Sequence, residues 1–248
     1  MSKVYEALQR AALKQDIASL NRLAIPDTGF PELLGPQRLP PLKMEREMNR
    51  LHHSILSRLS TPRNVLLLFI GSKRNEGTST LAREFACFLT EKAGNYVLLV
   101  DGDREHLSQH RAFKHRANGS LHDMVAGESL ARAISQVRQS ELYLTRYSAG
   151  GPTHDGPSLA VENSTIWSKL RMEFDVTLID SPPVSDSDEG LALCSVVDGV
   201  ILVVEAEQTR SHVAVSTKKR ILEQRGTILG LVFNKQRYYI PEWIYRRL

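Results

Sequence analysis

The residues with the most chemistry in them lie in one loop and at two strand ends. The loop is Gly71-Ser72-Lys73-Arg74-Asn75-Glu76-Gly77-Thr78-Ser79-Thr80, which follows the apolar run Val65 to Ile70 and precedes a helical pattern through Leu81, Phe85, Ala86 and Leu89. A strand, a short glycine-containing loop and a helix N-terminus make an anion site, because loop N–H groups and the positive end of the helix dipole face one point. Loops of this layout take nucleotide phosphates. The lysine that ordinarily precedes the Ser/Thr pair is missing, and Thr78 stands in its place. The strand ends are Leu98-Leu99-Val100-Asp101-Gly102-Asp103 and Thr177-Leu178-Ile179-Asp180-Ser181-Pro182-Pro183. A sheet interior is a poor place for unpaired carboxylates. One acid after an apolar run reads as a helix cap or an ion pair. Two of them beside a phosphate loop point to magnesium shared with phosphate oxygens, with Ser79, Asp103 and Asp180 as ligands.

Around these residues, apolar runs of strand length alternate with helical patterns. The pattern predicts strands at 64–70, 96–100, 142–147, 175–180, 199–204 and 228–233, and helices at 78–92, 158–172, 188–195 and 209–224, with a mixed region after residue 100. Continuous Val/Ile/Leu strands joined by helices imply a doubly wound α/β fold whose mostly parallel sheet is covered on both faces. Ligands of such sheets sit beyond the carboxyl ends of the strands, so the loops after 70, 100, 180 and 233 should line one site. Upstream, residues 2–20 read as a helix with Ser2 as its N-cap. Pro26, Pro31, Pro36, Pro40 and Pro41 make 21–42 an extended linker, and a further helix spans about 43–59. A free helix as short as 2–20 is marginal, so it should dock on something. The organisation is an arm and linker (1–42), an α/β domain (43–237) and a tail (238–248).

Composition narrows the function classes. The chain has 248 residues and an apolar fraction of 42%, enough for a sizeable core. No run is long enough to span a bilayer, and Glu6, Arg10 and Asp16 interrupt any signal-peptide core, so the reading is cytoplasmic. Cys87 and Cys194 sit in apolar-periodic segments without partners at metal spacing and read as structural. The net charge is only +4, and no aromatic-interleaved basic stripe argues for nucleic acid. Lys235, Arg237, Arg246 and Arg247 against Glu242 give the tail a local excess that suits an anionic surface.

In this order and spacing the motifs resemble those of the bacterial tyrosine kinases of capsule and exopolysaccharide systems, kin of the deviant-Walker partitioning ATPases. Glu47-Met48-Asn49-Arg50-Leu51-His52-His53 is similar to the family's Glu-x-x-Arg-x-x-Arg subunit-contact helix, with histidine last. Leu99-Val100-Asp101-Gly102-Asp103 resembles their second Walker motif, Gly119 to Gly127 their Gly-Leu-x-x-x-Leu-x-Gly segment, and Phe174 to Pro183 their Walker B. The opening Met1 to Leu8 looks like that of cytoplasmic members. The resemblance implies ATP/ADP with magnesium; Lys73 to Thr80 and Asn234 as nucleotide contacts; and Asp101, Asp103 and Asp180 as catalytic acids. It also implies a membrane-embedded polysaccharide co-polymerase as partner, and homo-oligomers through Glu47, Arg50 and His53.

The departures set the expected function. Asn75 replaces a glycine that needs φ > 0, a conformation asparagine tolerates. Thr78 cannot reach or neutralise the β/γ-phosphates, and losing one such donor costs about 10²–10³ in rate. Lys73 falls where the positioning ATPases carry a signature lysine, so it or Arg74 is the candidate replacement. Tyr238, Tyr239 and Tyr245 are interleaved with Trp243, Ile244 and Leu248 beside Arg246 and Arg247, which reads as an interfacial docking element more than a phosphosite cluster. The expectation is a regulatory, catalytically weak relative at the inner face of the membrane, peripheral to it. The alternatives are a competent tyrosine autokinase with Asp101 as base, and a partitioning-type ATPase.

Overall fold

A computed structural model describes residues 11–17, 39, 41–61, 63–103, 106–114, 119–125, 130–147 and 164–236. Most of the linker, residues 126–129, the start of the 158–172 helix and the tail with its three tyrosines lie outside the described residues. In chain order the elements are α1 (11–17), α2 (Glu45–Leu56), β1 (Val65–Gly71), α3 (Thr78–Glu91), β2 (Val97–Asp101), α4 (Ser108–Phe113), α5 (Leu121–Val125), α6 (Leu130–Ala133), β3 (Ser135–Gln136), β4 (Leu142–Arg146), α7 (Ser164–Glu173), β5 (Val176–Asp180), α8 (Glu189–Leu193), β6 (Gly199–Glu205), α9 (Ser211–Glu223) and β7 (Ile228–Asn234).

The strands form one sheet in the order β3-β4-β2-β5-β1-β6-β7. All pairings are parallel except β3 with β4. The sequence shows β3 only as part of a mixed region, because two residues carry no periodicity. β1 is buried along its whole length and so are β2 and β5, as expected of strands covered on both faces.

Alternate residues of each strand feed two separate cores. Leu66, Leu68 and Ile70 of β1 pack with Leu98, Val100, Trp167, Leu170, Leu191 and Ile221 on one face. Val65, Leu67 and Phe69 pack with Met48, Ile55, Leu81, Phe85 and Phe88 on the other. This face holds α3, whose apolar side Leu81, Ala82, Phe85 and Leu89 recurs at helical spacing and fixes the helix's start beneath the loop.

The described part of the arm docks on the domain. Leu13 and Ile17 are buried in the first core, and Lys14 pairs with Glu141 while its ammonium lies 5.6 Å above the Tyr96 ring. Ile17→Ala should therefore lower stability by about 2–5 kcal/mol, as for other buried aliphatic truncations. Urea unfolding checks this, and an unchanged midpoint would mean that the arm is undocked in solution.

Candidate functional site

Five strand ends, those of β1, β2, β5, β6 and β7, supply the site, and the loop after β1 forms its floor. Asn75 has φ 66° and Gly77 φ 90°, so the chain makes two left-handed turns within three residues before entering α3. Asparagine accordingly keeps the conformation for which glycine is the usual choice. A side chain at Gly77 would collide with Asn234 Nδ2 at 2.1 Å. α3 begins without a side-chain cap and without an acid in its first turn. Its first intrahelical bond runs from Leu81 N–H to the Gly77 carbonyl. The N–H groups of Thr78, Ser79 and Thr80 thus remain for an external anion.

The loop is braced from within and from behind. Glu76 is buried, and its carboxylate accepts the backbone N–H groups of Ser72 and Lys73 and the Thr209 hydroxyl. Asn234 Nδ2 donates to the Glu76 carbonyl at 2.8 Å, and Lys235 Nζ donates to the Asn75 carbonyl while pairing with Glu205 at 3.3 Å. Thr78 turns its hydroxyl back toward Gly71, where an added Cβ would lie 2.6 Å away. Among the basic residues of the loop, Lys73 Nζ donates to the Gln208 carbonyl (3.2 Å). Arg74 pairs with Asp186, lies 3.9 Å from Asp103 and bonds His106 Nδ1 (3.1 Å).

The carboxylates stand where parallel pairing puts them. Asp101 of β2 is the register partner of Asp180 of β5, and both are 1% exposed. Gly102 permits this approach, since a Cβ there would meet the Asp180 carbonyl oxygen at 2.5 Å. Asp101 Oδ2 accepts from the Gln109 and His110 N–H groups and from His110 Nδ1 (3.2 Å). Asp180 Oδ2 accepts from Gln109 Nε2 (2.6 Å) and Ser108 Oγ (3.2 Å). The Oδ1 atoms of both acids are buried without a hydrogen-bond partner. Burial, aided by the Asp101 charge, raises the Asp180 carboxyl to about 7 against the opposing effect of the Gln109 and Ser108 hydrogen bonds and the nearby Ser79 hydroxyl. Two orphaned oxygens on adjacent buried acids, with the Ser79 hydroxyl beside them, fit a small hard cation. Asp103 points elsewhere: it accepts the His106 N–H at 3.0 Å and faces Arg74.

The cleft above this floor has a volume of about 280 Å³ and is lined by residues 73–80 with Asp103, His106, Ser108, Ser181 and Pro183. It brings together the sequence-predicted Lys73 to Thr80 and Asp103. It leaves Asp101 and Asp180 beneath the floor and Asn234 behind the loop. Sequence reasoning missed Ser108, Gln109, His110, Thr209 and Lys235. Only their position just after strand ends could have flagged them. A larger hollow of about 570 Å³ lies far from this chemistry, between α2 and α3, where His52 packs edge-on against Phe88. Burial, then the His53 charge, lowers the His52 pKa. Burial raises the thiols of Cys87 and Cys194 to about 12 and 11, which fits their structural reading.

No protein-family model matches the chain. Among curated proteins it is similar to CapB of Staphylococcus aureus, 27% identical over 173 residues that make up 68% of this chain and 74% of that one. It is also similar to the tyrosine-protein kinase CpsD of Streptococcus agalactiae, 23% identical over 200 residues, 78% of this chain and 84% of the relative. Its fold matches the kinase domain of the Escherichia coli tyrosine kinase ETK with a TM-score of 0.70 at 15% identity, over 86% of this chain and 88% of that one.

The raised Asp180 carboxyl gives a stability signature. Its folded value of about 7 lies above the ordinary 3.8, so between these values the folded state holds a proton that the unfolded state has released. Stability of the ligand-free protein should therefore fall as pH rises from about 4 to 7, by at most about 1.4 kcal/mol per pH unit, and level off above. In Asp180→Asn this slope should disappear, leaving the variant relatively more stable at pH 8. Denaturant unfolding in EDTA at pH 5 and pH 8 measures it, and parallel profiles for the two proteins would refute the assignment.

Proposed function

We propose that this chain, a member of the bacterial tyrosine-kinase family of capsule and exopolysaccharide biosynthesis, is a regulatory member that binds magnesium–nucleotide weakly and has little or no catalysis of its own. It acts through a membrane-embedded polysaccharide co-polymerase to influence polymer assembly or export. The observation that carries the reading is a phosphate loop intact in shape and depleted in charge. The left-handed Asn75 and Gly77 and the uncapped start of α3 retain the N–H cradle. Thr78 supplies only a hydroxyl turned toward Gly71, and Lys73 and Arg74 are engaged with Gln208 and with Asp186 and Asp103.

In this reading the N–H groups of residues 78–80 orient the phosphates, and Asn234 and Lys235 hold the loop against them. Ser79 and Asp180 hold magnesium, with Asp103 at the cleft wall. The ion, when bound, supplies the neutralisation of phosphate charge that the absent lysine does not. Asp101, buried and bonded to Gln109 and His110, positions Asp180 and is badly placed to take a proton from an incoming hydroxyl. Glu47, Arg50 and His53 are exposed on α2, as a subunit contact requires. Among the described residues no helix is long and apolar enough to cross a membrane. Peripheral attachment to the inner membrane from the cytoplasm falls to the tail, residues 238–248. Its deletion should release the protein from anionic liposomes in co-sedimentation with the fold intact, and equal sedimentation would refute that role.

Calorimetry with ADP and ATP, with and without magnesium, tests the central reading; heats that ignore the metal would sink it. Thr78→Lys should tighten nucleotide binding by about 1.5–3 kcal/mol, the worth of a charge-assisted contact. If instead wild type autophosphorylates or hydrolyses ATP robustly and Lys73→Ala abolishes that turnover, the chain is a competent enzyme with Lys73 in the missing role.

A further inference from the structure

Gln109 is fully buried, an unusual place for a glutamine. Its backbone N–H donates to Asp101 Oδ2 at 2.9 Å. Its Nε2 donates to Asp180 Oδ2 at 2.6 Å and to the Ser79 carbonyl at 2.8 Å. Its Oε1 accepts from Arg83 Nη1 at 3.3 Å. Both neighbours of Nε2 are acceptors and the neighbour of Oε1 is a donor, so the opposite amide orientation would lose all three bonds. One residue thus joins the end of β2, the end of β5 and the first turn of α3, the three elements from which the metal position is built.

Two adjacent buried acids call for positive charge, and Gln109 answers with an amide that has none. The guanidinium behind Oε1 polarises the amide and strengthens its N–H groups as donors. Even so, Gln109 reaches only one oxygen of each carboxylate and leaves Asp101 Oδ1 and Asp180 Oδ1 unpartnered. That arrangement holds the acids together without saturating them, and a cation at the same place would satisfy them better.

We propose that Gln109 is a plug for the metal position: it satisfies Asp180 and the first turn of α3 while metal and nucleotide are absent, and the metal displaces its amide from Asp180. The inference rests on the magnesium–nucleotide reading above. It makes Gln109 a positioning residue whose loss has opposite effects on two quantities. The metal-free fold loses a buried donor and weakens. The metal no longer competes with the amide and binds more tightly, by about three- to tenfold, the equivalent of one net hydrogen bond. A strut with a purely structural role would instead lower both together.

The experiment titrates Mn²⁺, read by electron paramagnetic resonance, into the full chain with ADP, beside thermal unfolding in EDTA. Gln109→Leu keeps the volume and removes the donor. It is expected to unfold at a lower temperature without metal and to bind Mn²⁺ three- to tenfold more tightly than wild type. Gln109→Asn, whose shorter amide falls short of Asp180, makes the same comparison if the leucine variant does not fold. Gln109→Glu adds a third acid, so its metal-free midpoint should drop and Mn²⁺ should restore it. Wild-type binding that the leucine or asparagine variant equals or weakens overturns this inference alone. If neither wild type nor any variant binds Mn²⁺, the magnesium–nucleotide reading falls with it.

Discussion

The carboxyl end of the sheet depends on the parallel register that sets Asp101 of β2 directly beside Asp180 of β5. That register is imposed from below, where every residue from Val97 to Val100 and from Val176 to Ile179 is buried and all but Thr177 belong to one of the two cores. A slip by one residue would exchange the two faces of a strand along its whole length. The apolar bodies of the strands therefore fix the separation of two like charges, and the charges bear the cost. Asp180 carries it as a carboxyl raised to about 7, chiefly by burial and then by the Asp101 charge, and both acids carry it as oxygens without donors. A fold selected for stability alone would place a hydrophobic or hydrogen-bonded pair there. Retaining the acids makes sense where a cation sometimes arrives.

The loop illustrates a separation between shape and charge. Glu76 holds the loop's own N–H groups, while Thr209, Asn234 and Lys235 reach it from the ends of β6 and β7. None of these contacts involves position 78. Substituting threonine for lysine there removes electrostatic reach without removing any strut of the cradle. Asn75 makes the same point, since it occupies φ 66° in a loop whose bonds hold both its flanks.

Much of this was legible in the sequence. The strand positions follow from continuous apolar runs such as Val65 to Ile70 and Val200 to Val204, which are marked as strands by their short length and flanking turns rather than by any period. The loop and the two acidic strand ends follow from local spacing. What escaped was of two kinds. β3 is too short to have a pattern and exists because it can pair with the β4 edge. Gln109 reaches Asp180 across 71 residues, Thr209 reaches Glu76 across 133 and Lys235 reaches Asn75 across 160, and nothing about a single glutamine, threonine or lysine announces a long-range hydrogen bond. Lys73 and Arg74 were visible as basic residues, but their partners Gln208, Asp186 and Asp103 come from three other loops.

Those partners bear on what the missing lysine means. Arg74 lies among Asp103, Asp186 and His106 at the wall of the cleft, so swinging it toward a phosphate would leave two acids facing an incoming anion. Lys73 loses less, since among the described residues its ammonium is tied only to the exposed Gln208 carbonyl. Of the two loop cations, Lys73 is thus the easier to recruit and Arg74 the better suited to stay as a tie across the cleft. In the proposed reading, a cation entering with the nucleotide would meet the charge deficit at Thr78 without breaking either tie. The burden of neutralisation would then fall on the metal and, through it, on the buried pair of acids and the glutamine that bonds them both.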